Sequence, residues 1–304
     1  MDKSQFFKNL SVPSGRIDVV LDTDAYNEID DQFAIAYLLR SDDKCNVKAI
    51  YSAPFFNNKS QSPEDGMELS YDEIMKILKL TGYEKLSEVT YKGSRTYLTD
   101  EETPVESEAA RHLALLADEY SPENPLYVVA IGAITNVASA MLMNPSMAEK
   151  TVVVWLGGHT LEIGDKEFNM RQDIAAARVV FGSGVPLVQL PCRGVVSAFT
   201  LSGPEVKEYL LGKNPLADFL AKNTIEEAES YAKGKAWTRV IWDVTAVAWL
   251  LNENDRFMLS RVINTHIPNY DNQYNIANSN SYMNYVYFIK RDELMTDLIN
   301  KLLK

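Results

Sequence analysis

The sequence is poor in cysteine and in long apolar runs, and each shortage excludes a class of protein. Two cysteines, Cys45 and Cys192, among 304 residues provide neither a disulfide framework nor a structural zinc site. Residues 1–10 lack the apolar core of a signal peptide, and no later stretch approaches the length of a bilayer span. We therefore expect a soluble, cytoplasmic protein with no membrane partner.

Positive charge is also scarce, and the formal net charge is -12 at pH 7. Nucleic acids and anionic membranes bind positive surfaces that displace their counterions, so neither is an expected partner. A small, neutral or cationic ligand fits this charge better. Because 46% of the residues are hydrophobic and no composition break divides the chain, we predict one domain over residues 1–304.

Short apolar runs alternate with segments of helical period through the first two thirds of the chain. The runs of strand length are 17–21, 47–52, 126–131, 151–156 and 186–190. Because parallel strands need crossover connections, usually helices, this alternation predicts an α/β fold with a Rossmann-like, open, mostly parallel sheet flanked by helices.

The last third of the sequence predicts a mostly helical part that completes the site. Two helix-like segments precede a break at residues 232–235, and a longer apolar pattern follows at 237–251. A terminal antiparallel strand pair is expected at 257–267 and 282–289, with a closing helix at 292–303. The two helix-like segments before the break are 214–222 and 224–231.

Four acids follow the first predicted strand: Asp22, Asp24, Asp30 and Asp31. Ligands of open parallel sheets bind at the carboxyl ends of the strands, so these side chains would crowd one rim. Collecting them costs Coulomb energy unless protons or a cation neutralise them. Oxygen ligands in this number favour Ca²⁺ or Mg²⁺ over zinc. The alternative is that the last two acids only stabilise a helix N-terminus.

A further acid, Asp243, interrupts an apolar segment between Trp242 and Val244. Unpaired burial of a carboxylate is expensive, so this residue is expected to have a partner or to hold a metal. If residues 237–251 form a helix, Arg239 faces the same side as Asp243. Arg239 would then contact a ligand or pair with Asp243 or Glu229.

Four segments, in this order, resemble the inosine-uridine preferring nucleoside hydrolase family. They are the acid cluster at 22–31, IGAITNVA at 131–138, EFN at 167–169 and WDVTAVA at 242–248. Each is weak alone, but together they are specific and cover residues 17–251. The resemblance implies Ca²⁺-dependent hydrolysis of the N-glycosidic bond of a ribonucleoside, which releases free base and ribose.

The resemblance also implies a role for each matching residue. The implied metal ligands are Asp24, Asp31, the main-chain carbonyl of Thr135, and Asp243. Asp24 would in addition be the base that activates a metal-bound water, and Asp30 would be the catalytic acid residue that grips the sugar hydroxyls. Asp22 would support these ligands from behind.

Substrate contacts are implied in the same way. Glu167 and Asn169 match residues that hold the 5′ and 3′ hydroxyls, and Asn57 or Asn58 matches a ribose contact. The segment that covers the base in relatives contains Tyr231, Trp237, Arg239 and Trp242. The expected partner is a small-molecule ribonucleoside, and the expected assembly is a homodimer or homotetramer. The longer first loop would bring Tyr26 or Glu28 into the pocket. His159, Arg171 and Arg193 lie near strand ends, where the alternative to a place at the site is an ordinary structural role, and Cys192 is a nucleophile candidate without a clear histidine partner.

These residue types suit the chemistry. Cleavage of a ribosyl C1′–N bond passes through an oxocarbenium-like state, and carboxylates around the sugar favour its positive charge. A divalent cation lowers the pKa of bound water, and general base help contributes ~10²–10⁴-fold. A metal-chelated diol would fix the sugar, so 2′-deoxyribosides should be poor substrates.

Two departures from the family pattern leave other functions open. Five residues separate Asp24 from Asp30 where the family has three, and Trp242 stands where several purine-acting members have a proton-donating histidine. A catalytically weak, metal-dependent relative that binds ribose or nucleosides is therefore one alternative. A haloacid dehalogenase-like phosphatase is another, because Asp22-Thr23-Asp24 follows the first strand.

Overall fold

The computed structural model describes residues 1–164, 166–274 and 281–304. Its strands are β1 Ile17–Thr23, β2 Cys45–Ser52, β3 Thr90–Lys92, β4 Leu126–Ala130, β5 Thr151–Leu156, β6 Leu187–Leu190, β7 Thr200–Ser202, β8 Thr238–Val240, β9 Met258–Asn264 and β10 Tyr282–Ile289. Its α-helices are α1 Lys3–Asn9, α2 Ile29–Leu39, α3 Pro63–Thr81, α4 Glu108–Leu116, α5 Thr135–Met143, α6 Phe168–Gln172, α7 Ile174–Gly182, α8 Gly203–Tyr209, α9 Pro215–Ala232, α10 Val244–Leu250 and α11 Arg291–Leu302.

The described residues form an eight-stranded sheet in the order β3-β2-β1-β4-β5-β6-β10-β9. All neighbouring pairs are parallel except β10 and β9, which are antiparallel. The predicted α/β sheet is therefore confirmed, and so is the terminal antiparallel pair. Because β1, β4, β5 and β6 are adjacent and parallel, the loops at their carboxyl ends meet at one edge.

Alternate residues of the central strands pack into two separate cores. On β1, Val19 and Leu21 face the core covered by α2, α3, α9, α10 and α11, whereas Val20 faces the core covered by α4, α5 and α7. Burial on both faces accounts for the uninterrupted apolar runs of β4 and β5. None of the described helices has the length and apolar character that a membrane span requires.

The region before Asp243 differs from the sequence prediction. Residues 215–232 form one helix instead of two, and residues 237–251 do not form a continuous helix. Gly234, with φ of +76°, lies in the turn after α9. The β-branched residues Thr238 and Val240 then pair with β7 in strand β8, and α10 begins only at Val244.

Candidate metal and sugar site

A cavity of about 410 Å³ opens at the carboxyl ends of β1, β4, β5 and β6. Its lining joins the segment between β1 and α2 to the residue that precedes α10, although these are far apart in the sequence. The residues singled out from the family resemblance that line it are Asp24, Asp30, Asp31, Glu167, Asn169, Trp242 and Asp243. The structure therefore brings the early acids and Asp243 into one cavity.

The four acids of this cavity are almost fully enclosed, with exposures of 1% for Asp24, Asp30 and Asp31 and 4% for Asp243. One ligand oxygen from each of Asp30, Asp31 and Asp243 lies within 4.8 Å of the others. Asp24 reaches the cavity beside Gly132, where an added Cβ would lie only 2.8 Å from its Oδ1. Asp24 Oδ2 and Asp30 Oδ1 are buried and have no hydrogen-bond partner among the described residues.

Burial raises the pKa of all four carboxyl groups, and repulsion from neighbouring members of the cluster adds to the effect for Asp24, Asp30 and Asp243. Burial raises the pKa of Asp31 to about 7, although a hydrogen bond of 2.5 Å donated by the Thr23 hydroxyl acts to lower it. Burial is the largest cause of the raised pKa of Asp243, and the charges of Asp30 and Asp31 are the next largest. Carboxylate oxygens that are buried, close together and partly unpartnered are the donor set that a hard cation needs.

Two of the residues assigned from the resemblance, Asp22 and Thr135, are not part of the cavity lining. Asp22 is fully buried, its Oδ1 accepts a hydrogen bond of 2.7 Å from Asn136, and burial raises its pKa to about 7. Thr135 is buried in the first turn of α5, and its hydroxyl donates to Asp173 at 2.7 Å. Asp22 thus joins β1 to the first turn of α5, and Thr135 joins α5 to the residue between α6 and α7.

Main-chain hydrogen bonds hold the side chains of Glu167 and Asn169 in the cavity lining. The carboxylate of Glu167 caps α6 and accepts hydrogen bonds from the main-chain N–H groups of Gly158, Asn169 and Met170 at 2.8–2.9 Å. The amide of Asn169 donates to the carbonyl oxygens of Ile131 and Leu156 at 3.1 and 3.0 Å. These bonds fix the orientation of both side chains where they face the cavity.

The two asparagines that match a ribose contact lie outside the cavity lining. Asn57 instead donates a hydrogen bond of 2.7 Å to Asn27 Oδ1, and Asn58 is exposed. Asn57 therefore holds the loop between β1 and α2. Asn27 does line the cavity. The sequence pattern does not predict this position, because it depends on the contact with Asn57.

The residues expected near the base are divided by the fold. Trp242 lines the cavity and is half-buried, whereas Tyr231 is 54% exposed on α9. Trp237 lies outside the lining, since its indole packs against Gly203, where an added Cβ would be 2.9 Å away.

The expected pairing of Arg239 with Asp243 or Glu229 is wrong. Arg239 lies on β8, and its Nη2 is 2.8 Å from Glu28 Oε2 and 3.0 Å from Glu227 Oε1. The pairing failed because it assumed a helix through residues 237–251. Glu28 itself lines the cavity.

Other polar lining residues follow the ends of β5 and β6. They include His159, Arg171, Cys192 and Arg193, for which the sequence left an ordinary structural role open. The sequence pattern does not indicate that Lys166 lines the cavity, because this residue lies in the loop that precedes α6.

Comparison with known families decides the class of this protein. The family model described as inosine-uridine preferring nucleoside hydrolase matches residues 19–274. This chain belongs to that family. The matched range contains every residue assigned above from the resemblance, and the match leaves the haloacid dehalogenase-like alternative without support.

Relatives of the nucleoside hydrolase family agree in sequence and in fold. The pyrimidine-specific ribonucleoside hydrolase RihA of Salmonella paratyphi A is 27% identical over 134 residues, which cover 42% of this chain and 42% of that protein. The chain thus matches less than half the length of this curated relative. Among solved structures, the plant nucleoside hydrolase PpNRh1 has a TM-score of 0.75 at 18% identity and covers 96% of this chain and 99% of its own. A purine-preferring ribonucleoside hydrolase from Gardnerella vaginalis has a TM-score of 0.71 at 17% identity, and the match covers 94% of this chain and 98% of that one.

Proposed function

We propose that this nucleoside hydrolase family member hydrolyses the N-glycosidic bond of a ribonucleoside, with Ca²⁺ as its cofactor. The observation that carries the proposal is the enclosure of Asp24, Asp30, Asp31 and Asp243 in one cavity, with two carboxylate oxygens lacking partners. Buried like charges of this kind are retained at functional sites, because they oppose folding.

The side chains of Asp24, Asp31 and Asp243 would hold the cation, with the Thr135 carbonyl as a further ligand. A donor set made of carboxylate and carbonyl oxygens favours Ca²⁺ over transition metals. When bound, the cation lowers the pKa of water and orients the sugar diol.

The side chains of the cavity supply the remaining chemistry. Asp24 accepts the proton of the attacking water, and its unpartnered Oδ2 is available for this step. Asp30 grips the sugar hydroxyls, and the surrounding acids favour positive charge on the ring as the C1′–N bond breaks.

Substrate orientation depends on residues that the fold has already fixed. Glu167 and Asn169 face the cavity with their side chains locked by main-chain hydrogen bonds, and they would bind the 5′ and 3′ hydroxyls. Trp242 offers an aromatic surface to the base, although its indole is no acid.

The proposal is tested with Asp24→Asn and Asp243→Asn, and with Asp72→Asn as the matched control, since Asp72 is exposed on α3. Calorimetric titration with Ca²⁺ should show strongly weakened binding for Asp243→Asn and wild-type binding for the control. Base release from a panel of ribonucleosides should require Ca²⁺ and fall by about 10²–10⁴-fold in Asp24→Asn.

Two results would overturn this reading. Unchanged Ca²⁺ affinity in Asp243→Asn would remove the metal site from this cavity. Nucleoside binding by the Ca²⁺-loaded protein, with no base released from any purine, pyrimidine or nicotinamide riboside, would identify a binding protein instead of an enzyme.

We also propose that residues 1–304 form one domain and assemble as a homodimer or homotetramer. The single-domain proposal is supported by the sheet, in which β10 pairs with β6, and by α10, which packs against α2. Sedimentation equilibrium tests the assembly, and a monomer at micromolar concentration would contradict it.

A further inference from the structure

A turn in the connection between β9 and β10 contacts the segment that holds Glu167. Residues 268–274 form this turn, in which Pro268 and Tyr274 make a β-bridge and the Asn269 N–H donates to the Gln273 carbonyl at 2.8 Å. The connection starts from β9 at the edge of the sheet. The mechanism above uses none of these residues.

Two side-chain hydrogen bonds fasten the turn to the rest of the chain. Arg178 of α7 donates to the Pro268 carbonyl at 2.7 Å. The Gln273 side chain donates to the Gly164 carbonyl at 2.8 Å. The turn, and with it Tyr274, is therefore fixed both to a helix and to the loop that follows β5.

The Tyr274 hydroxyl holds the main chain of residues 157–159, directly after β5. It accepts a hydrogen bond of 2.6 Å from Gln189 Nε2 and donates to the His159 carbonyl at 3.2 Å. Gln189, which is fully buried on β6, also donates to the Gly157 carbonyl at 2.9 Å. One linked pair of side chains thus binds the carbonyl groups on both sides of Gly158.

Gly158 transmits this constraint to the cavity. Its N–H donates to Glu167 Oε2 at 2.9 Å, and its carbonyl accepts from the Cys192 N–H at 2.8 Å. Its φ is +76°, and an added Cβ would lie 2.0 Å from the Tyr274 hydroxyl. Burial is the largest cause of the raised pKa of Tyr274, and the charge of Glu167 raises it further. The position of the N–H that holds Glu167 therefore depends on Tyr274.

Building on the proposed function, we propose that Tyr274 is a positioning residue that orients Glu167, through residues 157–159, to bind the 5′ hydroxyl of the sugar. Glu167 Oε2 accepts two main-chain N–H groups and Oε1 accepts one, so the hydroxyl would approach Oε1. A carboxylate already held in one orientation loses little entropy when it binds a ligand. Tyr274 would thus make the chain selective for ribosides that carry a free 5′ hydroxyl.

The test compares kcat/KM for adenosine with 5′-deoxyadenosine and for uridine with 5′-deoxyuridine. A hydrogen bond to a charged group corresponds to about tenfold to hundredfold, so we expect the wild type to favour the 5′-hydroxyl substrates by at least about tenfold. In Tyr274→Phe the ratio should fall to about threefold or less, because only the 5′-hydroxyl substrates lose a contact. The kinetics of the 5′-deoxy analogues should stay within about twofold of the wild type.

Tyr270→Phe is the matched control, since it removes a hydroxyl from the same turn. Tyr270 is exposed, and its hydroxyl donates to Glu101 at 2.9 Å. This variant should keep the wild-type ratio. Glu167→Gln gives the lower limit, because its amide lacks the charge that strengthens the contact with the 5′ hydroxyl.

A second variant provides the test if Tyr274→Phe folds poorly. Gln189→Met has a similar size but no donor for the Gly157 carbonyl or for Tyr274, so it should lose the same discrimination. Because both residues act through residues 157–159, the double variant should lose no more discrimination than the stronger single variant.

Three results would overturn the assignment of Tyr274. They are a wild type that does not discriminate between the two substrates of a pair, a Tyr274→Phe variant that keeps the wild-type ratio, and one that slows both substrates equally, as a purely structural role would. No turnover of any riboside would instead refute the proposed function. Calorimetric affinities for adenosine and 5′-deoxyadenosine would then test Tyr274, with the same ratios expected.

Discussion

Asn136 connects three strand ends beneath the acid cluster, and we expect Asn136→Ala to be strongly destabilising. Its Nδ2 donates to Asp22 Oδ1 at 2.7 Å and to the Ser52 carbonyl at 3.2 Å. Its Oδ1 accepts from the main-chain N–H and the hydroxyl of Ser94 at 2.7 and 2.9 Å. The residue is fully buried, so water does not replace these bonds.

The magnitude follows from the groups that alanine would leave without partners. The Asp22 carboxyl, the Ser52 carbonyl and the Ser94 main-chain N–H each lose a hydrogen bond in a buried setting, at about 1–3 kcal/mol per group. The Ser94 hydroxyl can rotate to another acceptor. We therefore expect a loss of about 3–9 kcal/mol in the free energy of unfolding, a large share of the ~5–15 kcal/mol typical of a folded protein.

A second consequence is local to the site. The Asn136 hydrogen bond opposes the effect of burial on Asp22, whose pKa is about 7. Without this bond the pKa of Asp22 rises further, so the group stays protonated at neutral pH. The substitution should therefore change the electrostatics beside Asp24 as well as the stability.

The assay is urea denaturation at pH 7 in chelator, followed by circular dichroism, with Asn58→Ala as the control. Asn58 is exposed, so its truncation should change the free energy of unfolding by less than about 0.5 kcal/mol. A loss below about 1 kcal/mol in Asn136→Ala, with an unchanged m-value, would refute the accounting of buried partners given above.

Two further predictions concern pH and the space beside Asp24. Because burial raises the pKa of Asp22 and Asp31 from 3.8 to about 7, the folded chain binds more protons than the unfolded chain between these values. Their contribution to the stability of the chelated protein is therefore lost as pH rises from about 4 to 7, and calorimetric scans should show that the gain in Tm from Ca²⁺ widens from pH 5 to pH 8. A constant gain would contradict this. Gly132→Ala would place a Cβ 2.8 Å from Asp24 Oδ1, so we expect at least a tenfold loss of kcat/KM at a cost of about 1–3 kcal/mol in stability. Gly182→Ala is the control, since its nearest contact would be 3.9 Å away, and equal kinetics in the two variants would count against a tight Asp24 position.

The central sheet could be predicted from sequence because its strands are buried on both faces. Each of β4 and β5 is then a continuous apolar run of strand length, and its neighbours in the chain are helices. The segment after α9 gave no comparable signal. Val240, Val244 and Val247 have helical spacing, yet β8 forms because β7 lies beside it, and this partner is remote in sequence.

The acids of the candidate site could be found from sequence for a related reason. Asp24, Asp30 and Asp31 follow a clear strand, and Asp243 interrupts an apolar run, so each contradicts its local context. The residues that contact Arg239 and Asn57 do not stand out from their local sequence in this way. Their partners Glu28 and Asn27 are known only once the loop after β1 has been folded against β8 and the end of β2.

Because the acid cluster opposes folding, removing one of its members should stabilise the protein when no cation is bound. Burial and the charges of Asp30 and Asp31 raise the pKa of Asp243, so its ionised form is disfavoured in the folded chain. Asp243→Asn has nearly the same shape without the charge, and at pH 8 in chelator we expect its Tm to rise by about 2–8 °C, which corresponds to about 1–3 kcal/mol. In excess Ca²⁺ the order should reverse, because the variant binds the cation weakly. Scanning calorimetry with Asp72→Asn as control decides the matter. A variant less stable than the wild type in chelator would mean that Asp243 supports the fold and was not retained at the expense of stability.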